Sequence, residues 1–222
     1  MLFADDTNIF ISGNTAKEAY SKANILLKSI HQYMYLNKLH VNKSKCCYIH
    51  FKPPVRCKTE DTDHTQLNLE IDGFPIKQCT ETKFLGVIID EKLNWDAHIK
   101  YLKRKLGYAT ATLNRIRDGI PNHLHRDLYY TLFESHLSYC ISAWGSAAQF
   151  RINTLWVAQK HCIRVLFGDK TAYLEKKSTC ARARPFGLQN LGAEYHQLEV
   201  TKPLFKNNQI LSVHNLYSYH CF

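Results

Sequence analysis

The sequence predicts an α+β fold, and three observations lead there. Up to about residue 90, short apolar runs broken by turn residues surround a single long helical period; from Trp95 onward the apolar spacing is helical throughout; and hydrophobic residues make up 45% of the 222, enough to fill a core. We divide the chain into 1–90, a mixed region of hairpins and one long helix, 91–168, an all-helical region, and 169–222, a helical and loop extension.

The opening run, LFADDTNIFI from Leu2 to Ile11, reads as two short strands joined by a tight turn at Asp5 and Asp6, since aspartate tolerates the left-handed conformations of such turns. Thr15 and Glu18 have the spacing of a capping box. Ala19, Tyr20, Ala23, Leu26, Leu27, Ile30 and Met34 then follow at helical intervals, and the helix ends near Asn37. CCYIHF, ending at Phe51, is short and bulky enough for a strand. Residues 52–66, with Pro53 and Pro54 and no apolar period, form a loop. Leu67, Leu69 and Ile71 alternate before Asp72-Gly73, a two-residue hairpin turn. Phe84 to Ile89 supplies a further strand.

In the helical region Ile99, Leu102, Leu106, Ala109, Leu113 and Ile116 recur at steps of three and four, the stripe of a helix packed on one side. Leu124, Leu128, Leu132 and Leu137 mark a second helix, and Ile152, Leu155, Gln159, Cys162 and Leu166 a third. Beyond Gly168 the stretch STCARARPFGLQNLG is a basic loop, with a last helix around residues 193–202.

Lysine and arginine number 29 against 19 aspartate and glutamate, a net charge of +10 that suits either a polyanionic partner such as nucleic acid or a merely soluble basic protein. Eight cysteines without a C-x-x-C pair argue against a zinc site or a disulfide framework and for reduced thiols inside the cell. MLFADD lacks a basic leader and no apolar run reaches membrane length, so nucleus or cytoplasm is expected, with no membrane partner.

Two sets of residues carry chemistry. Asp5 and Asp6 form either an ordinary exposed turn or, with a divalent cation to cancel their repulsion, part of a metal site; a two-metal clamp would need a carboxylate from another strand as well. Between Lys92 and Arg117, seven basic residues (Lys92, Lys100, Lys103, Arg104, Lys105, Arg115, Arg117) face Asp96 alone. With the apolar stripe turned inward, Lys100, Lys103 and Arg104 lie on the outer face, as a solvated surface or as contacts to phosphates.

Several of these segments resemble, in order, the reverse transcriptases of non-LTR retrotransposons, the LINE-like and jockey-like mobile elements. FADDTNIF is similar to the family's F/Y-A-D-D palm motif. LNKLHVNKSKCCYIHF is similar to its next motif, N-x-x-K-[ST] and a strand, with Cys46 where the family usually has threonine. TKFLGVIIDEKLNW resembles the K-F-L-G-V-x-I-D segment that closes the palm. YYTLFESHLSYCISAWGSA resembles the thumb pattern ending L-x-Y-x-x-x-x-W-G, LWVAQKHCIRVLFG its L-x-x-x-Q-x-x-x-x-R helix, and KPLFKNNQILSVHNLY the segment after it.

The resemblance implies a partial polymerase palm over 1–90, a thumb-like region over 91–168 and a truncated extension. It implies that Asp5 and Asp6 belong to the catalytic metal cluster, with Asp5 better suited to direct coordination, and that the metal is Mg2+. Lys45 would lie near the incoming triphosphate as a general acid, or simply be a solvated lysine at a helix end. Phe84, Leu85 and Gly86 would form the turn supporting the primer strand. Lys100, Lys103, Arg104, Arg115 and Arg117 would follow an RNA template paired to a DNA primer, an A-like duplex read by shape. The family's fingers, first palm aspartate, glycine-rich nucleotide pocket and endonuclease would lie upstream. The reading is then of a C-terminal fragment of an RNA-directed DNA polymerase, inactive alone and binding Mg2+ weakly or not at all. The alternative is a co-opted, non-catalytic nucleic-acid-binding protein that uses the basic helix.

Overall fold

Thr15 starts the long helix as its spacing predicts: in the computed structural model its Oγ1 accepts the Glu18 N–H at 3.2 Å, and the Glu18 carboxylate accepts the Asn14 N–H at 2.9 Å. The structure describes residues 2–3, 6–51, 68–168 and 201–221. The predicted loop at 52–66, the basic loop after Gly168 and nearly all of the helix predicted at 193–202 lie outside them. The chain forms two units, one of residues 1–82 and 90–93, the other of residues 83–89 and 94–222.

In the first unit, β1 (Leu2–Phe3) pairs antiparallel with β2 (Asp6–Thr7), and Phe3 stands opposite Asp6. The main chain of Asp6 thus belongs to the returning strand, whereas the sequence predicts it in the turn. Helix α1 (Ala16–Leu36) ends with Lys38 left-handed at φ 57°; the Leu39 N–H reaches the Met34 carbonyl at 2.8 Å and the Lys38 N–H that of Tyr35 at 3.0 Å. Of its predicted apolar face Ala23 is buried, Leu26 is exposed and the others are half-buried. Asn24 fastens the helix through both ends of its amide, donating to the Asn68 carbonyl at 3.1 Å and accepting the Glu70 N–H at 3.3 Å.

Strand β3 (Cys47–Tyr48) is shorter than CCYIHF suggests and runs parallel to a strand that follows it, Lys77–Gln78. Between the two, β4 (Glu70–Ile71) and β5 (Phe74–Pro75) form the predicted hairpin: Asp72 and Gly73 both take positive φ, 51° and 70°, as a type I′ turn requires. Lys43 pairs with Asp72 at 2.7 Å and steadies the turn. Lys77–Gln78 is β6.

Where the sequence predicts one strand over 84–89, the chain instead doubles back, β7 (Glu81–Phe84) against β8 (Val87–Asp90), around Leu85 at φ 45° and Gly86 at φ 87°. Leu-Gly is not a usual turn pair, because a left-handed leucine is strained. In the second unit α2 (Asp96–Ile116) buries Ile99, Leu102, Leu106 and Leu113 as predicted, along with His98 and Thr110.

The second predicted helix is a composite: α3 (His125–Tyr129), a π-helical turn (Tyr130–Glu134) and α4 (Ser135–Ser138). Its buried face is His125, Tyr129, Phe133 and Leu137; of the predicted stripe only Leu137 is fully buried, and Leu124 is exposed. A strict spacing of four drifts around an α-helix of 3.6 residues per turn, and the wider π turn takes up that drift, so one face stays inward.

After α5 (Ile141–Trp144), α6 (Gln149–Phe167) buries all five predicted residues, Ile152, Leu155, Gln159, Cys162 and Leu166. Helices α7 (residues 201–207) and α8 (Val213–Cys221) close over the same core. Cys46, Cys47, Cys79, Cys140, Cys162 and Cys221 are free thiols. No helix among the described residues is long and apolar enough to cross a membrane.

Candidate nucleic-acid interface

The outer face of α2 is basic because its inner face is not. Burial of the Ile99, Leu102, Leu106 and Leu113 side leaves Lys100, Lys103, Arg104 and Arg115 exposed on the other. Asp96, the acid among them, is clasped by Arg151 of α6, whose Nη2 donates to Oδ2 at 2.7 Å while its Nε donates to Oδ1; these bonds hold the Asp96 carboxyl below the usual carboxylate range. Arg117 is occupied elsewhere. Its guanidinium donates to the Val165 carbonyl at 2.5 Å and the Gly168 carbonyl at 2.7 Å, capping the C-terminal end of α6.

The turn at Phe84, Leu85 and Gly86 is half-buried and held within the second unit. The Tyr139 hydroxyl donates to the Leu85 carbonyl at 2.6 Å, and a Cβ on Gly86 would stand 3.3 Å from the Tyr139 ring. Tyr139 is itself fixed, its carbonyl accepting the Trp144 indole N–H at 2.9 Å. From the strand behind the turn, the Ile88 N–H donates to His98 Nδ1 at 3.3 Å.

Two further basic groups flank this hairpin and helix. Lys83 Nζ lies 5.6 Å and Lys105 Nζ 5.3 Å from the centroid of the Tyr101 ring. In the sequence Lys105 stands out only as part of the charge of the helix, and Lys83 and Tyr101 do not stand out at all. Positions 101 and 105 are one turn apart, a signal that spacing could have offered; Lys83 joins them only by tertiary contact.

In the first unit Lys45 is exposed and ends a 3-10 turn, Lys43–Lys45. Its N–H donates to the Asn42 carbonyl at 3.1 Å, and the Cys46 thiol donates to that carbonyl at 3.4 Å, a bond open to a threonine hydroxyl as well. Asp5 lies outside the described residues, and Asp6 is described by its main chain in β2. Among the described residues no three His, Cys, Asp or Glu side chains gather where they could hold a metal ion.

Comparison with known sequences gives relatives among the proteins of mobile elements. The chain is 26% identical over 155 residues to a Retrovirus-related Pol polyprotein from type-1 retrotransposable element R1 4 of Nasonia vitripennis, covering 64% of this chain and 40% of that protein. It is 24% identical over 174 residues to the RNA-directed DNA polymerase from mobile element jockey of Drosophila funebris, 75% of this chain and 18% of that one. It is likewise 24% identical over 168 residues to a probable RNA-directed DNA polymerase from transposon BS of Drosophila melanogaster, 74% of this chain and 18% of the relative. The chain is thus similar to RNA-directed DNA polymerases and Pol polyproteins of retrotransposable elements, and it spans less than half the length of these relatives. No family model and no solved structure matches it.

Proposed function

We propose that this chain grips an RNA:DNA template-primer duplex with the outer face of α2, as the thumb-bearing part of a non-LTR retrotransposon reverse transcriptase. The observation that carries the reading is the one-sidedness of that helix: Lys100, Lys103, Arg104 and Arg115 face solvent, and none takes part in an ion pair among the described residues. Such contacts follow the backbone of an A-like hybrid and ignore its sequence. Phe84, Leu85 and Gly86 support the primer strand beside it. In the longer enzyme Asp5 and Asp6 contribute carboxylates to a divalent-metal cluster, with Mg2+ as the cation and Asp5 as the direct ligand, and Lys45 stands near the triphosphate.

The test is a titration of a labelled RNA:DNA hybrid with the full chain at several salt concentrations. Binding is expected to weaken steeply with salt, by about 0.9 in log–log slope for each neutralised phosphate. Changing Lys100, Lys103 and Arg104 together to alanine is expected to weaken it by roughly 30-fold or more and to flatten the slope by about two to three. Unchanged binding would sink the reading.

A further inference from the structure

Lys83 and Lys105 approach the same tyrosine from different elements, the first from the hairpin and the second from α2. The Lys105 ammonium, and more weakly that of Lys83, draws the phenol pKa below its ordinary value. The charge on Lys105 is felt farther along as well: together with burial it holds the His136 pKa down. No carboxylate among the described residues forms an ion pair with either lysine. Two like charges around one half-exposed phenol, neither paired with a carboxylate among the described residues, repel each other, and an anion placed between them removes that cost.

The two halves of this arrangement do not depend on flexible side chains alone. Lys83 sits one residue before the turn that Tyr139 fixes through the Leu85 carbonyl, and β8 behind it is tied to His98 of α2. Tyr101 and Lys105 are a helical turn apart, so their spacing is set by α2 itself.

We infer that Lys83, Lys105 and the Tyr101 hydroxyl form a seat for one phosphate of a nucleic-acid backbone, separate from the contacts of Lys100, Lys103 and Arg104. The inference rests on the duplex-binding reading above and adds to it a defined contact next to the Leu85–Gly86 turn. The two ammonium groups supply charge, and the phenol supplies a directional O–H donor to a phosphate oxygen.

The experiment is the same hybrid titration by fluorescence anisotropy, with the double variant Lys83→Gln, Lys105→Gln set against a control of equal net charge, Lys17→Gln, Lys28→Gln, whose two lysines are exposed on α1. The seat predicts about tenfold weaker binding and a salt slope smaller by about one for the first variant, against a change within about twofold for the control. Tyr101→Phe, which keeps the ring and removes the donor, is expected to cost about three- to fivefold. Equal effects of the two double variants overturn the seat while leaving the duplex-binding reading intact. Failure of the unaltered chain to bind the hybrid overturns the reading first, and the seat with it. Circular dichroism checks folding; should the double variant unfold, Lys83→Gln alone, at an exposed hairpin position, must still weaken binding more than Lys17→Gln alone.

Discussion

Gln159 is fully buried in α6 and uses both ends of its amide. Its Nε2 donates to the Tyr129 hydroxyl at 2.9 Å and to the Leu211 carbonyl at 2.8 Å, and its Oε1 accepts the Val213 N–H at 2.9 Å. A glutamine in an apolar stripe therefore joins three segments, and an apolar residue there would leave buried polar groups without partners. Near Tyr129, Glu134 has an Oε2 that is buried without a partner among the described residues, and burial pushes the Glu134 carboxyl from 4.5 up to about 7. The folded chain then holds a proton that the unfolded chain releases at lower pH. Stability falls as pH rises from 4.5 toward 7 and is level above that. Glu134→Gln keeps the size and shape of the side chain and removes the ionisation. It is expected to raise stability at pH 7.5 by about 1 kcal/mol, discounted for the partial exposure of the group, and to make no difference near pH 4. Urea denaturation at the two pH values measures both.

At the scale of elements, the L-x-Y-x-x-x-x-W-G pattern acquires a physical meaning. Tyr139 holds the Leu85 carbonyl, Trp144 holds the Tyr139 carbonyl, and at Gly145 a Cβ would run into the Tyr217 ring and the Ile141 carbonyl. The pattern is a clamp that keeps a strained hairpin turn in place, its leucine left-handed at φ 45°. Tyr139→Phe removes one hydrogen bond and little packing. Amide exchange across residues 84–88 is expected to accelerate about fivefold, while α2 and α6 keep their protection. Unaltered exchange at the turn would show that the clamp holds nothing.

For the whole molecule, charge and catalysis separate. The net charge of +10 and the basic face of α2 support binding, whereas in-line phosphoryl transfer needs carboxylates from more than one strand around paired metal ions. In the proposed reading Asp5 and Asp6 supply two of those acids, and the others come from elsewhere. These 222 residues incubated with Mg2+, deoxynucleotides, an RNA template and a DNA primer are expected to yield no extended product. Extension abolished by Asp5→Ala would overturn that expectation.

The sequence by itself determined what depends on neighbours along the chain: the capping of α1, the Asp72-Gly73 turn, the inward stripes of α2 and α6, and the excess of positive charge. Local backbone preference and apolar period act within a few residues, so these features are legible without a fold. Tertiary structure decided the rest. Leu85 and Gly86 form a turn because Tyr139, 54 residues away in sequence, bonds the Leu85 carbonyl. The composite helix buries Tyr129 and Phe133 rather than Leu128 and Leu132, since a π turn resets its face. Arg117 caps α6, and Lys83 meets Tyr101 and Lys105. Each outcome turns on a partner distant in sequence, which periodicity cannot report because it carries no record of which surfaces meet.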